Sequence, residues 1–100
     1  MFVHHVFFWL KNPQNASDQA ALIAGLEKLK AAPPIGTAHI GLPADTNRAV
    51  IDASYQVSWL LLFNTAADQA AYQTDPIHLQ FVAECSPLWE RVLVYDSVNV

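Results

Sequence analysis

Two stretches of this chain are apolar at nearly every position, and both have the length of a β-strand. Residues 2–10 (FVHHVFFWL) combine β-branched, aromatic and aliphatic side chains, and residues 55–63 (YQVSWLLLF) alternate at first and then become continuously apolar. Residues 91–98 predict a further strand, and residues 35–42 a short, weaker one. Strands with this composition are typical of sheets covered on both faces, because neither face has to present polar side chains to water.

Between these stretches the apolar positions recur with the period of a helix. The pattern predicts one helix over residues 17–30, with Ser17 as its N-cap, and two further helical pieces over residues 66–75 and 76–90. Pro87 is expected to distort the last turn of the final piece, because proline lacks the N–H group that an internal helical position needs.

The resulting order, β-α-β-β-α-β, predicts an α+β domain of the ferredoxin-like class spanning residues 1–100. Such a domain has a four-stranded antiparallel sheet with helices on one face only. The strands over residues 2–10 and 55–63 are nevertheless apolar on both faces. We therefore expect a symmetric homodimer in which two sheets pack face to face and close into a dimeric α+β barrel.

Composition agrees with an apolar subunit interface. Apolar residues make up 53% of the chain and charged residues only 14%, against roughly 25% charged in typical globular proteins. The formal net charge is −4 and the five basic residues are scattered, so we expect no nucleic-acid binding. No stretch approaches the length of about 20 apolar residues that a membrane span needs.

The remaining composition restricts compartment and cofactors. Cys85 is the single cysteine, which excludes an internal disulfide and a cysteine-based zinc site. The start of the chain lacks the basic segment and cleavage site of a secretory signal, so we expect a cytoplasmic protein. Only three glycines are present and none form a phosphate-binding loop, so we expect no nucleotide cofactor.

The segment Tyr72-Gln-Thr-Asp-Pro-Ile-His78 holds the candidate chemistry. It places a phenol and an imidazole, two groups able to transfer a proton, on either side of Pro76. Because proline disfavours helical geometry at the preceding residue, one helix should end near Asp75 and the next should start at Pro76. Such a break can aim side chains into a cavity; alternatively, Tyr72 and His78 simply pack beside a helix junction.

Histidines elsewhere in the chain do not form a metal signature. His4 and His5 are adjacent on a predicted strand, so their side chains point to opposite faces and cannot both bind one ion. Together with His39 and His78 their spacing matches no known ligand pattern, and we expect no metal. The three tryptophans are predicted to fill the core and the subunit interface; they are Trp9, Trp59 and Trp89.

Three segments together resemble the stress-responsive A/B barrel domain (Dabb) family, which lies within the dimeric α+β barrel superfamily. They are His5–Lys11 at the start, Tyr72–Val82 in the middle and Leu93–Asp96 at the end. The middle segment is the most specific, because it combines an aromatic residue, a proline and a histidine at fixed offsets before an apolar helix. The resemblance implies a homodimer whose two sheets form the central barrel.

One branch of that family is a polyketide cyclase that closes a ring by an aldol-type reaction without a cofactor. The resemblance implies that Tyr72 and His78 act on a substrate, with His5 under the helices near His78 and with Asp96 close by. This chain departs from that branch at two positions, since Val57 stands where the cyclase has a histidine and Glu27 where it has an aromatic residue. The resemblance thus implies a small-molecule site with a different wall.

These observations predict a small apolar cavity near Tyr72, His78 and His5 that takes an apolar or aromatic carbonyl compound. We assign His78 as the base, Tyr72 as the donor to a developing oxyanion, and Asp96 as the group that orients the imidazole. The expected function is a small-molecule-binding protein, with cyclase, lyase or isomerase activity as its catalytic form. The alternatives are a non-catalytic stress or accessory dimer and, by fold analogy alone, a cofactor-free monooxygenase.

Overall fold

The computed structural model describes residues 1–100 and contains one four-stranded antiparallel sheet with helices packed on one of its faces. The order is the predicted one, with the second helix divided in two. None of the helices is long and apolar enough to cross a membrane. The strands are Phe2–Leu10 (β1), Thr37–Gly41 (β2), Val57–Phe63 (β3) and Trp89–Val98 (β4), and the helices are Ala16–Leu29 (α1), Ala66–Thr74 (α2) and Pro76–Cys85 (α3).

The strands lie in the order β2-β3-β1-β4, and every neighbouring pair is antiparallel. β1 and β3 are the two central strands and pair from Phe2 opposite Phe63 to Phe8 opposite Val57. Because β3 lies between β1 and β2, the two strands joined by α1 are parallel but not adjacent. This is the split β-α-β topology, and it confirms the predicted ferredoxin-like fold.

The core lies between the sheet and the helices, and α1, α2 and α3 all contribute to it. Even-numbered positions of β1 point toward the helices, and Phe8 and Leu10 belong to one buried cluster with leucines of α1 such as Leu26 and with Phe81 of α3. Odd-numbered positions of β1 point to the other face, which no helix covers, and they remain partly exposed. Since strand side chains alternate between faces, β1 serves both the core and an uncovered apolar surface.

The helices start where a polar side chain can cap the free backbone N–H groups. Ser17 was expected to cap α1, but Asn15 does so, accepting a hydrogen bond from the Asp18 N–H at 3.1 Å. Asn15 has extended backbone geometry, as an N-cap needs, whereas Ser17 already lies within the helix. Thr65 caps α2 in the same way, accepting from the Asp68 N–H at 3.1 Å.

The last helix is shorter than the sequence pattern suggests. The predicted helix over residues 76–90 ends at Cys85, and a single 3₁₀ turn follows over Ser86–Leu88. Pro87 lies in this turn and cannot supply the N–H group that would continue an α-helix. β4 therefore begins at Trp89 rather than at residue 91, and Trp89 pairs with Leu10.

Candidate functional site

A single residue, Asp75, separates α2 from α3 and fixes the directions of both helix ends. Its backbone is extended (φ −62°, ψ 136°), its N–H donates to the Tyr72 carbonyl at 3.1 Å, and its carboxylate accepts from the Ile77 N–H at 2.8 Å. Pro76 is the first residue of α3, as predicted. This break brings the Tyr72 and His78 rings within 4.5 Å of each other, measured between centroids.

Tyr72 lies in the last turn of α2 with its ring almost completely buried, at 2% exposure. Its hydroxyl oxygen accepts a hydrogen bond from the indole Nε1 of Trp59 at 3.2 Å. Burial raises the pKa of Tyr72 to about 12, because the phenolate would lose its hydration, and the bond from Trp59 offsets this only in part. The phenol therefore stays protonated at neutral pH and keeps its own proton available for donation.

His78 lies in the first turn of α3 and is half-buried. Its Nδ1 is 3.2 Å from the backbone carbonyl oxygen of Gln73. Because a carbonyl can only accept, Nδ1 carries the hydrogen and the lone pair of the neutral ring is on Nε2. Burial lowers the pKa of His78 below its usual value of 6.5, and the bond to Gln73 and the charge of Asp75 oppose that shift. Neutral His78 can thus accept a proton at Nε2.

His4, and not His5, is the β1 histidine that lies under the helices. Its ring is 6.1 Å from that of Tyr72, and its side chain is 8% exposed. Its Nδ1 is 2.5 Å from a carboxylate oxygen of Asp96, the residue directly opposite on β4. Asp96 therefore orients His4, whereas it was expected to orient the imidazole of His78.

The expectation that His5 lies near His78 is wrong. The His5 ring points to the uncovered face and stacks on Phe7 with 4.2 Å between ring centroids. Partial burial and the nearby His39 lower the pKa of His5. The alternation along β1 separates the two histidines correctly, but the family resemblance selects the wrong one. The even-numbered positions, His4 among them, are those that share a face with the buried core.

The side chains of His4, Tyr72 and His78 converge on a cleft of about 160 Å³ between the helices and the β1–β4 side of the sheet. His4, Tyr72, Gln73 and His78 supply its polar groups. Neither position at which the cyclase branch differs is among the lining residues. Val57 is buried in the core, and Glu27 is exposed and paired with Lys30 at 3.1 Å. The apolar wall includes Val6, Phe8, Trp59, Phe81, Trp89 and Val94.

Trp59, like His4, is a residue of this cleft that the sequence did not predict as part of the site. It was predicted to fill core or interface, and it is indeed buried, at 1% exposure. Its position between Val57 and Leu61, apolar residues on the same face of β3, indicates burial. No local signal links it to Tyr72, which lies on a different element. The hydrogen bond between them exists only because α2 crosses above β3.

No three His, Cys, Asp or Glu side chains come close enough together to hold a metal ion. The polar groups of the cleft are instead two imidazoles, a phenol, an amide and a carboxylate that binds one of the imidazoles. Such groups can donate, accept and relay protons. The chemistry available from the protein itself is therefore proton transfer beside a bound molecule.

Three solved structures illustrate how widely this fold is shared. A dimeric ferredoxin-like protein of unknown function from Thermobifida fusca is 17% identical, with a TM-score of 0.78, and the match covers 98% of this chain and 90% of that one. The hydroxynitrile lyase from Passiflora edulis is 24% identical, with a TM-score of 0.77 and coverage of 98% and 93%. A putative antibiotic biosynthesis monooxygenase from Nitrosomonas europaea is 17% identical, with a TM-score of 0.72 and coverage of 100% and 99%.

At these levels of identity the structural neighbours establish the fold alone. No curated protein sequence matches the chain. The family described as Stress responsive A/B Barrel Domain (Dabb), however, matches residues 2–99. Because that match extends over almost the whole chain, the protein is a member of the Dabb family.

Proposed function

We propose that this protein binds a small apolar or aromatic carbonyl compound in the Tyr72–His78 cleft and transforms it without a cofactor, as a cyclase, lyase or isomerase. The observation that carries the proposal is the pairing of opposite protonation states in one apolar cleft. Tyr72 holds its proton, since its pKa is raised to about 12, and the lowered pKa of His78 leaves its Nε2 free to accept one. A donor and a base side by side are what proton abstraction next to a carbonyl requires.

The reaction begins with removal of a proton from the carbon next to the carbonyl group of the substrate. His78 Nε2 accepts this proton, and the electron pair of the C–H bond moves into the carbonyl to form an enolate. The Tyr72 hydroxyl donates a hydrogen bond to the enolate oxygen, where negative charge develops. Attack of the enolate carbon on a second carbonyl forms a C–C bond in a cyclase, and the reverse sequence breaks one in a lyase. Return of a proton from His78 leaves the protein unchanged.

The size of the cleft favours a small substrate. An apolar cavity of about 150 Å³ in a protein core is large enough to bind benzene, and this cleft measures about 160 Å³. The Passiflora edulis protein, which is described as a hydroxynitrile lyase, shows that the same fold supports lyase chemistry. We therefore favour substrates built around one small ring or a short branched chain.

The same proposal includes a homodimer. The uncovered face of the sheet presents apolar side chains from β1 and β4, including Phe7, Trp9 and Leu93, together with Tyr95, which is 63% exposed. A patch of this kind on a small domain favours a subunit interface. The Thermobifida fusca neighbour is described as dimeric. Two copies packed through this face would leave both clefts on the outside of the barrel.

We further propose a cytoplasmic location, because the lone thiol of Cys85 is buried and unpaired, as is usual in a reducing compartment. Fractionation of the host cells followed by immunodetection tests this assignment. Recovery of the protein outside the cytoplasmic fraction would contradict it.

The function is tested first by native mass spectrometry of protein purified from its own host, which would reveal a retained ligand. Small β-hydroxy ketones, which the reverse of the proposed reaction would cleave, are then assayed for carbonyl release. We expect Tyr72→Phe to lower kcat by about 10²-fold or more, because it removes the donor to the oxyanion. We expect His78→Ala to lower kcat by roughly 10²- to 10⁴-fold, because it removes the base.

Tyr55→Phe and His39→Ala are the matched controls, since both residues lie away from the cleft. They should leave turnover unchanged. Binding and turnover that survive in both cleft variants would refute the proposed roles. Ligand binding without any turnover would instead favour the non-catalytic alternative, and oxygen uptake with the same compounds would favour a monooxygenase.

A further inference from the structure

Trp59 makes the single hydrogen bond to the hydroxyl oxygen of Tyr72 in this structure, from its Nε1 at 3.2 Å. An indole N–H can donate but cannot accept. The phenol must therefore be the acceptor in this contact, and its own hydrogen has to point away from the indole. Both residues are almost completely buried, at 1% for Trp59 and 2% for Tyr72, so water cannot readily take the place of this partner.

The position of Trp59 gives the direction of this hydrogen bond a consequence for the cleft. Trp59 lies on β3, paired with Val6 of β1 and Ile40 of β2, and its indole is part of both the core and the cleft wall. An indole held by two neighbouring strands and by the core is a rigid anchor. Tyr72, whose hydroxyl it binds, lines the same cleft as His4 and His78.

Building on the proposed function, we infer that Trp59 is a positioning and specificity-determining residue. By acting as an obligatory donor, it fixes Tyr72 as a hydrogen-bond donor toward the cleft, which makes the site selective for ligands that bring an acceptor such as a carbonyl oxygen. A polar residue able to accept at this position would let the phenol turn its hydrogen away from the ligand. A phenylalanine would leave the hydroxyl without an anchor.

The test compares two ligands of almost equal shape, acetophenone and α-methylstyrene, which differ in having a carbonyl oxygen or a CH₂ group. Binding to the full chain is measured by NMR titration. The unchanged protein is expected to bind acetophenone roughly five- to tenfold more tightly, the value of one hydrogen bond of about 1 kcal/mol. Tyr72→Phe should reduce that ratio to about one, since the donor is lost.

Trp59→Phe is the decisive variant. The inference predicts a ratio within about twofold of that of Tyr72→Phe, because the hydroxyl is no longer held as a donor toward the ligand. A merely structural role would weaken both ligands equally and leave the ratio unchanged. Trp9→Phe is the matched control, since it removes an indole whose Nε1 bonds to Ser54 at 3.0 Å on the other face of the sheet. It should not alter the ratio.

A ratio in Trp59→Phe equal to that of the unchanged protein overturns the inference while leaving the proposed cleft intact. Failure of both ligands to bind the unchanged protein overturns the proposed function and this inference with it. If Trp59→Phe does not fold, the indole N–H resonance of Trp59 in the folded Tyr72→Phe variant decides. It should shift and exchange with solvent faster than in the unchanged protein, and an unaltered resonance overturns the inference.

Discussion

The protonation states of Tyr72 and His78 are set by neighbours that do not themselves react. Tyr72 is held neutral by burial and oriented by an indole, and His78 is held neutral by burial and oriented by the backbone carbonyl of Gln73. Neither group is hydrogen-bonded to a charged side chain. The resting pair therefore lies in an apolar cleft without the cost of desolvating an ion.

This arrangement predicts an asymmetric pH profile. Turnover needs neutral His78, and its pKa lies below 6.5, so the rate should stay constant at neutral pH and fall only as the pH drops below that value. The alkaline limb depends on Tyr72 and should not appear until the pH approaches about 12. A kcat/KM profile, which reports the groups of the free protein, checks the acid limb and the absence of an alkaline limb between about pH 5 and pH 10. A half-maximal rate above pH 6.5 on the acid side would contradict the assignment of His78 as the base.

Protonation of His78 should also lower the free energy of unfolding at acid pH. Its folded pKa is depressed relative to the unfolded chain, so its contribution to stability is present above pH 6.5 and is lost as the pH falls through the folded value. Urea unfolding at several pH values should show this loss, and His78→Gln should reduce it. An equal loss in the variant would assign the effect to other groups.

The two neighbouring histidines should respond differently to the same substitution. We expect His4→Asn to lower turnover by at least about tenfold, because His4 lines the cleft beside Tyr72 and is held there by Asp96. His5→Asn should leave turnover unchanged, since His5 faces the other side of the sheet. Steady-state kinetics of both variants, with folding checked by circular dichroism, provides the test. A larger effect from His5 would contradict the placement of these rings.

At this scale the sequence predicts residue types better than partners. The unusual pairing of Tyr72 and His78 around Pro76 is visible in the chain, and the structure brings the two rings together. The roles of Trp59 and His4 are not visible. Each depends on contacts between elements distant in sequence, and no local pattern indicates which face of β1 the helices will cover.

At the scale of elements, the junction at Asp75 controls the geometry of the cleft. One residue ends α2 and caps α3, so the relative directions of the two helices depend on a single extended backbone and one carboxylate. The sequence shows this junction clearly, because Pro76 has a strong local effect on chain geometry. The end of α3 is harder to predict, since Trp89 leaves the helical path to pair with Leu10 on β1.

Loss of the cap at Asp75 should affect both stability and binding. Asp75→Ala is expected to cost about 1 kcal/mol in the free energy of unfolding, as is typical for an N-cap, and to weaken ligand binding by displacing His78. Thr65→Ala is the matched control, because Thr65 caps the far end of α2. It should cost a similar free energy of unfolding but leave binding nearly unchanged. Urea unfolding and ligand titration of both variants separate the two effects, and equal losses of binding would contradict a specific role for Asp75.

At the scale of the whole molecule, the uncovered sheet face is the largest departure from a self-sufficient domain. Its apolar side chains lie opposite the helix-covered core, and the ferredoxin-like fold offers no further element to cover them. The sequence predicts this surface, because the strands over residues 2–10 and 55–63 are apolar at both odd and even positions. The prediction of this face depends on alternation and composition, which are local properties, rather than on long-range contacts.

The proposed homodimer predicts that one charge on this face should separate the subunits. Tyr95 is 63% exposed in the single chain, so Tyr95→Glu should not disturb its fold, but burial of the carboxylate between two sheets would be unfavourable. We expect a monomer by sedimentation velocity. Val50→Glu, at a loop position that is 86% exposed, is the matched control and should remain dimeric. A Tyr95→Glu dimer as stable as the unchanged protein would place the interface elsewhere.

The alternation of β1 has a consequence for how this chain can change in evolution. Adjacent imidazoles on one strand, His4 and His5, face a cleft and a proposed subunit interface respectively. Gain or loss of a single residue inside the strand would exchange its odd and even positions. Every side chain beyond that point would then lie on the opposite face of the sheet. Gain or loss of two residues would return these side chains to their original face. Related chains are therefore best aligned here by the face of β1 on which each residue lies, since a histidine at the same distance from the N-terminus can lie on the other face.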